Sequence, residues 1–201
     1  MKLTPAAILF DMDGVLIDSL NSWQISLNEA LKAYGKEEIT REQFIERYWG
    51  KDLEYNLRTM DLADEIINCC NNVYGHHVDI AKIYPDTKKI LEKLSSYKKG
   101  VVTNTPRDCT IHVLEKFNIK NYFETIMTND DVKIGKPEPE IIFKACRKLN
   151  VEPKEAILIG DTQSDIVAGH AAGCKVIGMR IDADYRIERL SDLVTFFQCD
   201  L

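Results

Sequence analysis

The sequence has no apolar run approaching the roughly 18 residues that a membrane span requires, so no span is expected. Its early apolar stretch, Pro5 to Phe10, stops at Asp11 and Asp13, which argues against a secretory leader. Basic residues are in deficit: 26 Lys and Arg against 32 Asp and Glu give a formal charge of −6. No basic run recurs, so a nucleic-acid partner and a polybasic membrane anchor are both disfavoured. A small anionic substrate stays open, because a few local cations and a metal override the global field. The six cysteines, Cys69, Cys70, Cys109, Cys146, Cys174 and Cys199, lack any CxxC spacing. Buried reduced thiols are therefore expected rather than disulfides or a zinc site, and with them a cytoplasmic location. The histidines His76, His77, His112 and His170 also lack metal-ligand spacing and receive no role.

What remains is a balanced chain of 201 residues, 45% hydrophobic and 29% charged, as in soluble globular proteins. Its length suits one main domain with a modest insertion. Short apolar runs rich in Val and Ile recur at 6–10, 100–103, 124–128, 156–160 and 175–179. They read as strands buried on both faces. Amphipathic helices fall between the later runs. Asp86 caps a segment with Ile90, Leu91 and Leu94; Asp108 starts one with Ile111, Leu114 and Phe117; a third, from Glu138, carries Ile141, Ile142, Ala145 and Leu149. Strand alternating with helix predicts an α/β fold, a Rossmann-like parallel sheet.

One interval breaks the rhythm. Residues 18–81 show helical periods and no convincing strand. A stripe of Leu20, Trp23, Leu27, Ala30, Leu31 and Tyr34 ends at Gly35, and Thr40 with Gln43 forms a capping box ahead of Phe44. Leu62, Ile66, Cys69 and Val73 form another stripe, ended by Gly75. The expected organisation is a core of 1–17 and 82–201 with an inserted, all-helical cap over 18–81.

The chemistry-bearing residues gather after the strands. Asp11-Met12-Asp13-Gly14 places two carboxylates at i and i+2 beyond the first strand, where open α/β sheets hold ligands. Such a pair suits a hard cation such as Mg²⁺, although Asp-x-Asp-Gly is also ordinary turn chemistry. Gly160-Asp161-Thr162-Gln163-Ser164-Asp165 follows another strand. Asp161 would complete a three-point metal site, or simply cap a helix with Thr162. Thr103-Asn104-Thr105 ends a third strand with groups that suit a phosphate or a plain polar turn, and Lys136 precedes a helix in Gly135-Lys136-Pro137-Glu138-Pro139. Each bland reading stands by itself. Held together, in order and at strand ends, they are hard to maintain.

These motifs, Asp11-Met12-Asp13-Gly14-Val15-Leu16-Ile17-Asp18-Ser19, Thr103-Asn104, Lys136-Pro137-Glu138-Pro139 and Gly160-Asp161-Thr162-Gln163-Ser164-Asp165, resemble those of the haloacid-dehalogenase-like hydrolase superfamily. The resemblance runs from residue 8 to about 180 and is nearest the phosphoglycolate phosphatase and β-phosphoglucomutase branch, whose helical cap lies between the first two motifs. It implies that Asp11 is the nucleophile and Asp13 the general acid and base. It further implies Mg²⁺ held by Asp11, Asp161 and the backbone carbonyl of Asp13, with Asp165 orienting that shell. Thr103, backbone amides near Met12 and Asn104, and Lys136 would bind the phosphoryl oxygens. Trp49, Gly50 and Lys51, between two cap helices, resemble the loop with which related caps touch substrate, although Tyr48 and Trp49 read equally as cap core with Gly50 a helix stop. The implied activity is hydrolysis of a small phosphomonoester, phosphoglycolate- or sugar-phosphate-like. A phosphosugar mutase and a non-catalytic phosphoacceptor switch are the alternatives.

Overall fold

The computed structural model describes residues 2–50, 57 and 63–197. Its centre is a parallel sheet in the order β5-β4-β1-β6-β7-β8. These strands are β1 (Ala7–Phe10), β4 (Lys98–Val102), β5 (Thr125–Met127), β6 (Ala156–Gly160), β7 (Lys175–Met179) and β8 (Tyr185–Ile187). Every residue of β1 is buried because helices cover both sheet faces. The two-residue side-chain period sends Ile8 and Phe10 into one apolar cluster and Ala7 and Leu9 into the other. The α/β, Rossmann-like expectation therefore holds, and the five apolar runs are all strands. The sixth strand, β8, is missing from the sequence reading. It is three residues long, sits at an edge, and has an exposed Arg186 at its centre, so it shows no apolar run.

Between β2 (Ile17–Asp18) and β3 (Lys82–Ile83) the chain forms helices α1 (Leu20–Ala33), α2 (Arg41–Arg47) and α3 (Ala63–His77). Strands β2 and β3 pair antiparallel, Ile17 opposite Ile83, so the chain leaves and re-enters the core through one short ribbon. Helices α1 and α3 pack together, with the Trp23 and Tyr74 rings stacked at 3.8 Å. The Thr40–Gln43 capping box of α2 is present in full.

Local details differ from the sequence reading. Gly75 does not stop α3, which continues to His77, and the buried stripe is Ile66, Ile67, Cys70 and Tyr74 rather than one through Cys69 and Val73. Both rows fit a 3.6-residue period, and packing against α1 selects the one that stacks Tyr74 on Trp23. Leu62 lies outside the described residues. Helix α4 (Thr87–Lys93) follows Asp86, whose carboxylate does not cap it but accepts the Ser191 N–H at 2.6 Å. Helix α5 (Arg107–Lys116) begins one residue before Asp108, and its first N–H goes to Asp130 at 2.5 Å. Helix α6 (Glu140–Leu149) starts after Pro139, two residues later than read, and α7 (Gln163–Ala172) follows β6. The described cysteines, Cys69, Cys70, Cys109, Cys146 and Cys174, are all free thiols. Among the described residues no helix is long and apolar enough to cross a membrane.

Candidate active site

The sheet order puts β1 between β4 and β6, with the chain running outward to β5 on one side and to β8 on the other. That is a topological switch point, where the carboxyl ends of the strands open a crevice. Register then sets the level. Phe10 pairs with Val101 on one side and Ile159 on the other, so Asp11, Thr103 and Asp161 emerge around the same end of the sheet.

Asp11 is buried at the tip of β1, with its Oδ1 accepting the Met12 N–H at 2.8 Å and lying 2.9 Å from Lys136 Nζ. Lys136 is buried as well. Its ammonium also donates to Asp165 Oδ1 at 2.6 Å and to the Val102 carbonyl at 3.0 Å. Burial alone would lower the lysine's pKa, but Asp11 and Asp165 outweigh it and raise it. Asp165 is fully buried, and its second oxygen accepts the Thr162 N–H at 3.1 Å and hydroxyl at 2.7 Å. Both Asp165 oxygens are thus spoken for. Asp161 stands differently: its Oδ1 is buried with no hydrogen-bond partner among the described residues, while Oδ2 faces the Trp49 indole N–H at 3.4 Å.

One carboxylate oxygen from each of Asp11, Asp161 and Asp165 lies within 4.8 Å of the others. Burial, then Asp165, pushes the Asp161 pKa up to about 7 against the opposing pull of Lys136 and Trp49. Burial also raises Asp11 well above the ordinary carboxylate range, outweighing Lys136, with Asp165, Asp161 and Asp13 adding to the rise. Three carboxylates around one ammonium leave negative charge uncompensated, and the orphaned Asp161 oxygen marks where a cation is wanted. A divalent cation therefore fits these residues.

Asp13 points elsewhere. Its Oδ1 accepts from the Ser19 hydroxyl and from Trp23 Nε1, the latter at 3.2 Å, and its Oδ2 accepts from Thr105 Oγ1 at 2.6 Å. Its carboxylate belongs to a separate cage of donors. Gly14, next in the chain, has φ +80°, and a Cβ there would lie 2.0 Å from Asp161 Oδ2. Only glycine permits that approach. Arg180 closes the turn by donating to the Gly14 carbonyl while its guanidinium lies over the Tyr84 ring.

Thr103 is buried, with its hydroxyl accepting the Thr105 N–H at 3.1 Å. The Asn104 side chain holds the Lys136 backbone at both ends, accepting its N–H at 2.7 Å and donating to its carbonyl at 2.8 Å. From the cap, Trp49 packs on Phe44 at the end of α2. Gly50, at φ +67°, approaches so closely that a Cβ would lie 2.1 Å from the Thr162 side chain. Lys51 lies outside the described residues. In the sequence Ser19 belongs to the first motif, and Asn104 and Thr105 to a phosphate-suited strand end, but neither the cage around Asp13 nor the Asn104 clamp on Lys136 is marked; Trp23 reads as part of an apolar stripe, and Arg180 carries no signal.

A family model for haloacid dehalogenase-like hydrolases matches residues 8–179. The chain belongs to that family. Its sequence is 29% identical over 194 residues to a phosphoglycolate phosphatase of Haemophilus influenzae, covering 89% of this chain and 87% of the relative. It is 32% identical over 205 residues to the pyrophosphatase PpaX of Bacillus velezensis, covering 94% of both. A solved structure from Lactobacillus plantarum superposes with a TM-score of 0.89 at 23% identity, covering 97% of this chain and all of that one. CbbY from Rhodobacter sphaeroides, solved as a mutant in complex with xylulose-1,5-bisphosphate, superposes at 0.84 and 20% identity, covering 94% and 96%. The protein is thus an enzyme, a hydrolase in the branch that holds the phosphoglycolate phosphatases.

Proposed function

We propose that the chain is a Mg²⁺-dependent phosphatase for small phosphomonoesters, acting through an aspartyl-phosphate on Asp11. The observation that carries this reading is the division between two neighbouring carboxylates. Asp11 sits in the buried cluster against Lys136, whereas Asp13 is turned away into its own cage of three donors. Phosphoryl transfer needs a positioned nucleophile, neutralised phosphoryl charge and a proton for the leaving oxygen, and the two environments divide that work. The relatives named as phosphoglycolate phosphatase support a small phosphomonoester, and those named as pyrophosphatase support hydrolysis of a phosphoryl bond more generally.

In this reading Asp11 Oδ attacks phosphorus as the ester P–O bond breaks. Asp13, as the acid, gives its proton to the departing oxygen. In the second half Asp13, now a carboxylate, takes a proton from water, whose oxygen attacks the phosphorus and releases inorganic phosphate and the Asp11 carboxylate. Thr103, Lys136 and the backbone amides near Met12 and Asn104 hold the phosphoryl oxygens. Mg²⁺, held by Asp11, Asp161 and the Asp13 carbonyl, supplies further charge neutralisation when bound. With both oxygens engaged, Asp165 serves by fixing Lys136 and the start of α7. The core of 1–17 and 82–201 performs the chemistry under a cap of 18–81, with Trp49 and Gly50 bordering the leaving group.

The test is release of inorganic phosphate from small phosphomonoesters in the presence of Mg²⁺. Asp11→Asn keeps the shape but removes the nucleophilic charge, so turnover should vanish with the circular dichroism spectrum unchanged. EDTA should silence the wild-type enzyme and Mg²⁺ should restore it. Activity of Asp11→Asn within a few-fold of wild type, or activity that survives chelation, overturns the reading.

A further inference from the structure

Just beyond β7 the chain turns sharply, and the turn carries an arginine whose side chain reaches back to the first strand's loop. A Cβ at Gly178 would lie 2.2 Å from the Ile181 carbonyl oxygen, so the turn is tight. Arg180 sits within it at φ +64°, its backbone N–H donating to the Ile187 carbonyl of β8 at 2.8 Å. That left-handed conformation suits glycine and disfavours a residue with a Cβ. An arginine held there against the preference implies a use for its side chain. The use is visible at the guanidinium. One nitrogen, Nη2, donates both to the carbonyl of buried Gly14 and to the Tyr84 hydroxyl, the latter at 3.2 Å. The group also lies over the Tyr84 ring, 5.1 Å from its centroid.

We propose that Arg180, braced on the Tyr84 ring, is a positioning residue that holds the Asp13–Gly14 turn against Asp161 where the cap joins the core. The inference rests on the phosphatase reading and adds to it a residue that acts through the backbone of the catalytic turn. The two partners of the guanidinium belong to the two sides of that junction. Gly14 follows Asp13 directly, and a Cβ on it would meet Asp161 Oδ2. Tyr84 follows β3, by which the chain returns from cap to core, and its N–H donates at 3.3 Å to the carbonyl of Leu16, two residues beyond Gly14. A guanidinium suits the task because it stays charged, stacks on a ring through its face and donates through its edge. Without it the Gly14 carbonyl loses this donor, and the turn drifts from Asp161 and takes Asp13 with it.

The test uses the full chain with Mg²⁺ and whichever small phosphomonoester the wild type turns over fastest. Arg180→Gly removes the guanidinium and suits the left-handed backbone, so the circular dichroism spectrum should be unchanged. Its kcat should fall roughly ten-fold or more while KM changes by less than about three-fold, as when a reacting group is misplaced and substrate binding is kept. Tyr84→Leu, which removes the platform but leaves the guanidinium, should lose roughly three- to ten-fold in kcat. The double variant should be no slower than Arg180→Gly alone, because the ring acts through the guanidinium. Should Arg180→Gly fail to fold, Arg180→Gln takes its place with the same expected losses. A folded variant at position 180 with kcat within about three-fold of wild type overturns the proposal, as does a loss confined to KM. Losses that multiply in the double variant also overturn it, since the two residues would then act separately. Failure of the phosphatase reading looks different: the wild-type chain itself would release no phosphate from any small phosphomonoester.

Discussion

Two aspartates, separated in the chain by a single methionine, differ less in kind than in company. Asp11 has Lys136 at 2.9 Å and two further carboxylates close by. Asp13 has a serine, an indole and a threonine, and the Thr105 hydroxyl at 2.6 Å is the donor that comes from the core strand end rather than the cap side. Thr105→Val keeps the volume but loses that donor, leaving the Asp13 carboxylate held on Oδ1 alone by Ser19 and Trp23. For an alkyl ester, which needs its leaving oxygen protonated, kcat should fall roughly ten- to a hundred-fold with little change in KM. For p-nitrophenyl phosphate, whose leaving group departs as an anion, the loss should be much smaller. Thr105→Ser should recover most of the rate on both. Equal losses on both esters would show that Thr105 acts on the fold rather than on proton delivery. Ser19 and Thr105 fall within segments the sequence marks out, but their meeting around Asp13 was not legible in it. Asp11, Asp13, Asp161 and Thr103 announce themselves by lying at strand ends and Lys136 by preceding a helix in Gly135-Lys136-Pro137, but Trp23 reads as one more apolar residue of a helical stripe. Asn104 reads as a phosphate-suited or turn residue, and its clamp on Lys136 needs two loops brought together by the parallel pairing of β4 and β5.

At the scale of elements, the legible parts were those whose burial is symmetrical. Strands β1 and β6 are continuous apolar runs because helices cover both faces, β4 and β7 are apolar once past their leading lysines, and α6 shows its stripe of Ile141, Ile142, Ala145 and Leu149 plainly. Elements decided by a neighbour were harder. Helix α3 offered two stripes and α1 chose between them; Asp86 looked like a cap for its own helix and serves the Ser191 amide instead. The α2 terminus shows how an element reaches the site. After its last turn, Trp49 and Gly50 lie against Asp161 and Thr162, with no room for a Cβ at Gly50. Gly50→Ala should force the loop away, since the new methyl meets Thr162 and the left-handed backbone disfavours it. Because small misplacements at a reacting centre are costly, kcat/KM should drop roughly ten-fold or more. The melting temperature should move little, as the cap helices keep their own packing. A large fall in melting temperature with kcat/KM preserved would mean that the loop holds the cap together and does not shape the site.

For the molecule as a whole, the carboxylate cluster ties stability to pH and to metal. Without metal, the folded chain keeps Asp161 protonated up to about pH 7, whereas the unfolded chain releases that proton near pH 4. Between those values the folded state binds more protons, so its stability falls as pH rises. Mg²⁺ needs the ionised carboxylates, so its stabilising effect should grow over the same interval. Melting curves from pH 4.5 to 7.5, with and without Mg²⁺, should therefore diverge, and Asp161→Asn should flatten both trends. Curves that run parallel would remove the cluster from the metal's binding. The parallel sheet has one more consequence, for the chain during its synthesis. β1 is made early but ends up between β4 and β6, and Asp161 follows the second of these. At ordinary translation speeds Asp11 precedes Asp161 by roughly eight to thirty seconds. Throughout that interval the nascent chain carries Asp11 without the pocket around it, so the cluster is withheld until β6 and the loop that follows it have left the ribosome.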